Sequence, residues 1–357
     1  MFVETMLPFG KADSGLKTSD GAIDITRYGA DAARIEALGF DGLCIQENKD
    51  DPYVLATLAL SATQRITACT SVAIAFPRSP AVTAMAAWSL ARLSGGRFVL
   101  GLGSQVKGHI ERRFGMPWKA PGPWMRDYLQ AVRDHWDAWQ AGRPVRHESA
   151  SYRINLNVPV FTPAPLDGPP IALHLAAVNP YMCRVAGELA DGVRVHPVCT
   201  AHYLESVMLP AIRDGAAKAG RDLGNFAVGI KPLVATGPDD ATVQRKLEEI
   251  RGRIAFYGST PAYAAPFEAH GLGALAVELN ALSKAQRWAE MPALVSDEVV
   301  HQYAVVAPYA TVARRLRERF GHLATHCEFS IPLNDEADIV QLGHMLAELK
   351  SGEAGVA

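Results

Sequence analysis

Residues 97–114 read RFVLGLGSQVKGHIERRF. Arg97–Leu102 is a short apolar run of strand character that stops at Gly101-Leu102-Gly103-Ser104, a strand followed by a tight turn. Two glycines beside a strand invite a dinucleotide fingerprint. That pattern needs a third glycine where Val106 stands and an acidic residue closing the next strand, and neither is present. The open nucleotide-binding sheet is therefore set aside. Moving outward, runs of the same character occur at Phe2–Leu7, Gly42–Gln46 and Ile66–Ala75, and after it at Ile171–Leu175, Gly192–His196, Phe226–Val234 and His326–Ile331. With Arg97–Leu102 they make eight. Amphipathic segments lie between them, one carrying Ile25, Tyr28, Ala32, Ile35 and Leu38, another Val243, Leu247, Ile250 and Ile254. Asn179-Pro180 opens one helix with a cap and a first-turn proline, and Gly39 closes another. Alternating strands and helices predict an α/β fold with a parallel sheet, and eight units predict the closed (β/α)8 TIM barrel.

Ser104–Leu166 is too long for one crossover. It reads as an insertion after strand 4 over the barrel mouth, holding a helix with Tyr128, Leu129, Val132, Trp136 and Trp139 on one face. The excess at Gly258–Ala307 predicts extra helices before strand 8. No linker-like stretch divides the chain, so residues 1–357 read as a single domain. Lys+Arg number 35 and Asp+Glu 37, a net charge of −2, which offers no field for nucleic acid or an anionic membrane. The N-terminus lacks a signal-peptide pattern, and the longest nearly apolar run, Ala81–Ala91, is too short to cross a bilayer. The five scattered cysteines show no metal-ligand spacing, so no metal is expected and a reducing, cytoplasmic setting is. HExxH, P-loop and G-x-S-x-G patterns are absent, removing the commonest signatures of zinc hydrolases, NTPases and serine hydrolases.

The Arg97–Phe114 stretch resembles the strand-4 segment of the bacterial luciferase-like monooxygenase superfamily, and more narrowly its branch using the 5-deazaflavin coenzyme F420. Supporting pieces follow in register: ENKDDPY at 47–53, TSVAIAFPRSPAVTA at 70–84, AAVNP at 176–180 and ADGVRVHP at 190–197. The resemblance implies the barrel fold, coenzyme F420 as cofactor with FMN as the alternative, and a homo-oligomer, a dimer foremost. It implies an oxidoreductase moving a hydride between F420 and a small organic substrate. An FMN-dependent monooxygenase is the second reading, and a barrel that binds flavin or ligand without catalysis the third.

The matching loops receive roles from the same resemblance. Ser71-Val72 stands where similar proteins place a non-prolyl cis peptide beneath the flavin ring. Ala176, Ala177, Val178 and Asn179 occupy the small-residue turn whose N–H groups meet the cofactor phosphate at a helix N-terminus. Val178 and Asn179 depart from the glycines common there. Where the family often has Asp-His facing the reactive carbon, this chain has Glu47-Asn48. Asn48 can orient a ligand but cannot titrate, which leaves Glu47 as a relay or as a cap for the helix starting near Asp51-Pro52. His109 and His196, on strand-end loops, are the candidate titratable groups, or structural hydrogen-bonders. Glu47 and His109 are taken as the catalytic pair, and Ser104 and His196 join the cofactor set. Lys107, Arg112 and Arg113 read either as a solvated helix face or as a site for the acidic cofactor tail. Phe76, Phe114, Trp118 and Trp124 read either as a substrate lid or as packing for the insertion.

Overall fold

The computed structural model describes residues 1–9 and 23–351. Eight parallel strands close on themselves: β1 (Phe2–Met6), β2 (Gly42–Ile45), β3 (Thr67–Thr70, resuming at Ala73–Ile74), β4 (Phe98–Gly103), β5 (Ala172–Ala177), β6 (Gly192–Val195), β7 (Ala227–Ile230) and β8 (His326–Glu328). Each pairs with its sequence neighbours, β8 pairs with β1, and the ring is complete. All eight sequence-predicted strands are present. The predicted run Phe226–Val234 is two pieces, because Pro232 has no N–H to offer a ladder. Its second piece, Leu233–Ala235, leaves the barrel and pairs in parallel with Ala304–Val306.

The quoted glycines have a steric reason. A Cβ on Gly101 would stand 1.8 Å from the Thr70 carbonyl oxygen, and one on Gly103 2.6 Å from Val72 Cγ2. The Thr70 hydroxyl donates to the Gly101 carbonyl at 2.8 Å and accepts from its N–H at 2.8 Å. Glycine here lets β3 and β4 approach closely.

The chain between β4 and β5 refines the expected insertion. Its long helix, Pro121–Gln140, packs between the Pro80–Ser94 and Pro180–Leu189 helices, the place of the fourth crossover helix. Trp136 Nε1 donates to the Ala84 carbonyl at 3.2 Å, and Tyr128, Leu129 and Val132 are wholly buried. The added chain is split around that helix. Before it comes the Lys107–Arg112 helix at the mouth; after it comes a hairpin, His147–Glu148 with Arg153–Ile154. The hairpin is tied back to the helix by His147, whose ring nitrogens meet Asp134 at 2.7 Å and Asp127 at 3.0 Å. Phe76 stacks on Trp124 with centroids 3.7 Å apart, both nearly fully buried, so these two aromatics pack this region onto the rim. The extra helices before β8 are Ala264–Glu268, Gly273–Lys284 and Asp297–Tyr303. Among the described residues no helix is long and apolar enough to cross a membrane.

Inside the barrel the lining is polar. Glu4 on β1 reaches Arg194 on β6, whose Nη2 donates to Oε1 at 2.9 Å and whose Nη1 bonds the other oxygen. Arg194 Nε donates to His174 Nδ1 on β5 at 3.2 Å. Room for the guanidinium comes from Gly229, where a Cβ would lie 2.9 Å from Nη1. Burial pushes the Glu4 carboxyl up, but the Arg194 charge and hydrogen bonds outweigh it and hold the pKa below the usual range. His174 is pushed well below an ordinary imidazole, first by burial, then by Arg194 and His326. The neutral ring accepts at Nδ1, which places its proton on Nε2.

Candidate active site

A cavity of about 350 Å³ opens at the carboxyl ends of the strands, where barrel enzymes carry their chemistry. Each wall is a strand end or the loop that follows it. From β2 come Gln46, Glu47 and Asn48; from β3 Ser71, Val72 and Ile74; from β4 Gly103, Ser104, Gln105 and Val106. The β5 end supplies Ala176, Ala177, Val178 and Asn179, and the β6 end Arg194, Val195 and His196. Lys231 after β7, Glu328 on β8 and Tyr263 complete it.

The Ser71-Val72 peptide is cis. It follows directly on β3, between the β2 wall and the β4 turn, with Val72 packed over Gly103.

Glu47 is committed elsewhere than the helix start. Its Oε2 accepts from the Ile74 N–H at 2.7 Å, and Arg78 Nη1 donates to both oxygens at 3.0 and 2.8 Å. The helix at Pro52 is capped by Asp51, which accepts from Tyr53 N–H at 2.9 Å and pairs with Arg78 at 2.8 Å. The Glu47 side chain is 7% exposed. Its carboxylate thus ties the β2 end to the stretch following the cis peptide. Asn48 donates to Gln46 Oε1 at 3.0 Å, and its carbonyl accepts from Arg113 at 2.7 Å, which anchors the mouth helix to the β2 wall.

The Ala176–Asn179 turn enters the Pro180–Leu189 helix as the sequence predicts. Asn179 Oδ1 accepts from the Met182 N–H at 2.9 Å, and Pro180 brings no N–H. Of the first helical turn, this leaves the Tyr181 amide to face an incoming anion. Tyr203 Oη donates to the Val178 carbonyl at 2.9 Å and fixes the turn from behind.

His196 lies against two tyrosines, stacked on Tyr263 with centroids 4.3 Å apart and edge-on to Tyr257 at 4.9 Å. Its Nδ1 accepts from the Val198 N–H at 3.1 Å, so the neutral ring carries its proton on Nε2.

His109, expected to flank one ring together with Glu47, lies exposed on the short Lys107–Arg112 helix and is not part of the cavity wall. Ile110, not His109, is the inward residue of that single turn and a half, and it is fully buried. Glu47, Asn48, Ser71, Val72, Ser104, Ala176, Ala177, Val178, Asn179 and His196 are all brought together. The sequence reading missed Arg194, Lys231 and Glu328. Each had a signal, a charge inside or ending an otherwise apolar strand, which in a barrel marks the lumen or the mouth.

The walls suit a flat, partly polar ring carrying an anionic tail. Val72, Gly103, Ala176 and Ala177 form a small-residue floor; Asn48, Ser104 and His196 place hydrogen-bonding groups around it; and an amide-bearing turn stands at one end. A family model described as luciferase-like monooxygenase matches residues 4–326. An uncharacterized protein of Mycobacterium tuberculosis is 41% identical over 302 residues, 84% of this chain and 89% of that protein. A 5,10-methylenetetrahydromethanopterin reductase of Archaeoglobus fulgidus is 27% identical, covering 79% of this chain and 82% of that one. Among solved structures, the coenzyme F420 dependent tetrahydromethanopterin reductase of Methanopyrus kandleri superposes with a TM-score of 0.73 at 20% identity, covering 98% of both chains. EDTA monooxygenase of a Chelativorans species superposes with a TM-score of 0.75 at 17% identity, covering 99% and 95%. Both share the barrel. With the family match running over nearly its whole length, the chain belongs to the luciferase-like monooxygenase family.

Proposed function

We propose that this enzyme is an oxidoreductase that uses coenzyme F420 to move a hydride to or from an organic substrate held in the β-strand mouth. The observation that carries the reading is the cavity itself, in which Ser71 and Val72 after β3, an amide-bearing β5 turn and a histidine at the β6 end converge. A Mycobacterium tuberculosis relative named as a putative coenzyme F420-dependent oxidoreductase, 27% identical over 305 residues, supports the choice of cofactor. The whole chain acts in this reading as one domain.

When bound, the deazaflavin supplies a carbon centre that exchanges hydride and reacts sluggishly with oxygen. The protein's part is to orient and to handle charge. Ser71, Val72, Ala176 and Ala177 would support the ring, and Asn48, Ser104 and His196 would bond its edge. Val178, Asn179 and the Tyr181 amide would meet the phosphate, aided by the partial positive charge of the helix N-terminus. Glu47, with both oxygens occupied by Arg78 and Ile74, acts as a positioning residue. His196 Nε2–H is the proton-bearing group we assign to the substrate or ring edge, replacing the expected Glu47–His109 pair.

The test is anaerobic turnover. Reduced F420 offered with a panel of carbonyl and enoyl compounds should be oxidised in an enzyme-dependent way by at least one member. Oxygen-dependent turnover with reduced FMN and none with F420 would favour the monooxygenase reading, and binding without any turnover the carrier.

A further inference from the structure

Beside the main cavity lies a smaller one, of about 110 Å³, between the ends of β7, β8 and β1 and the Asp240–Gly258 helix. Pro197, Lys231 and Glu328 are walls of both, so the small cavity is a side chamber of the large one. Two hydroxyls in its wall, Thr5 Oγ1 and Thr236 Oγ1, are buried and have no hydrogen-bond partner. Their residues are 0% and 9% exposed, so bulk water does not readily satisfy them. A buried hydroxyl without a partner is costly and asks for an explanation. Three cations line the same space. Lys231 pairs with Glu328 at 3.0 Å and Lys246 with Glu249 at 2.8 Å, while Arg253 makes no ion pair among the described residues.

We infer that this side chamber is the subsite for an anionic group of the substrate, a carboxylate or a phosphate. The unpaired guanidinium and the two hydroxyls are all donors, and the matching ligand is an acceptor-only group bearing negative charge. The chamber is small, so it takes the charged end of a molecule whose body extends past Lys231 into the main cavity. The cofactor's own phosphate is assigned to the β5 turn, built from other residues. The substrate is thus an organic anion whose charge sits apart from the reacting carbon. That assignment rests on the reading of the main cavity as the hydride-transfer site.

The purified full-length protein is titrated by calorimetry with sodium phosphate and, separately, with sodium acetate, with chloride as background salt. Saturable binding of one or both anions is expected, and which one binds tells phosphate from carboxylate. Arg253→Gln should weaken that binding tenfold or more, and Thr236→Val several-fold. F420 affinity, read by fluorescence in the same samples, should stay within twofold, and circular dichroism checks the fold of both variants. No saturable binding of either anion, or binding unchanged in both variants, overturns the subsite. So does competitive displacement of the anion by F420, which would give the chamber to the cofactor. Failure of the wild type to bind F420 while anion binding persists would instead overturn the cofactor reading and leave the anion site standing.

Discussion

His196 and His109 show how two histidines on strand-end loops divide once their surroundings are known. One is wedged between aromatic rings in the cavity wall with its tautomer set by the Val198 N–H; the other is on the outer face of a short helix. His196→Asn should lower kcat by on the order of 10²-fold, the lower end of what a positioned acid contributes, and weaken F420 affinity by a smaller factor. His109→Ala should leave kcat within about twofold. The reverse order in steady-state kinetics would restore the His109 assignment. Buried and half-buried imidazoles also set a pH dependence. His135, His174, His270 and His326 are all held below the ordinary histidine pKa of 6.5, in each case first by burial. A depressed folded pKa means that the unfolded chain binds more protons below 6.5. Stability is therefore full above that value and falls as pH drops toward the folded values. Glu4, held below 4.5 by Arg194, adds a second loss at lower pH. Thermal midpoints should fall steadily from pH 7.5 to 5, and His174→Gln, which can still accept from Arg194, should flatten the slope. A midpoint flat over that range would contradict the burial of these rings as neutral groups.

Strands and helices were the level at which the sequence spoke most clearly. Apolar runs located all eight barrel strands, and Asn179-Pro180 announced both a helix start and the turn that faces the cavity. The Pro121–Gln140 helix was recognised by its apolar face, yet its place was less clear: periodicity tells that a face is buried, but not against what. Only its packing between two neighbouring crossover helices shows that it completes the ring. At this scale Gly101 is the critical residue. Gly101→Ala would drive a methyl into the Thr70 carbonyl, and the cost should exceed the about 1–3 kcal/mol of ordinary overpacking. The expected outcome is loss of soluble protein or a collapse of the thermal midpoint, whereas wild-type stability would mean that β3 and β4 do not meet there. Asn179→Ala removes a cap and should cost about 1 kcal/mol in denaturant unfolding, with a smaller loss of F420 affinity than a charge in the same turn would cause.

Across the whole molecule, the barrel was legible and its polar interior was not. Glu4 and Arg194 are 190 positions apart and meet only because β1 and β6 enclose the same lumen. No local pattern announces such a pair, although a glutamate and an arginine inside apolar strands mark where to look. The same distance problem hid Lys231 and Glu328, while His109, which follows the β4 turn in sequence, lies on the exposed side of its short helix. Family resemblance located the loops, and three-dimensional closure decided which side chains share a wall. We propose that the mouth built from these loops is an F420 site with its phosphate at the β5 turn. This proposal is tested most directly by equilibrium fluorescence titration of the wild type and of Ala177→Asp with F420 and with FMN, with circular dichroism to check the variant's fold. Saturable F420 binding at least tenfold tighter than FMN is expected. Ala177→Asp should weaken it tenfold or more, about 1.4 kcal/mol, through repulsion of the phosphate. Tighter binding of FMN, or an F420 affinity untouched by the new carboxylate in a folded variant, would contradict the account.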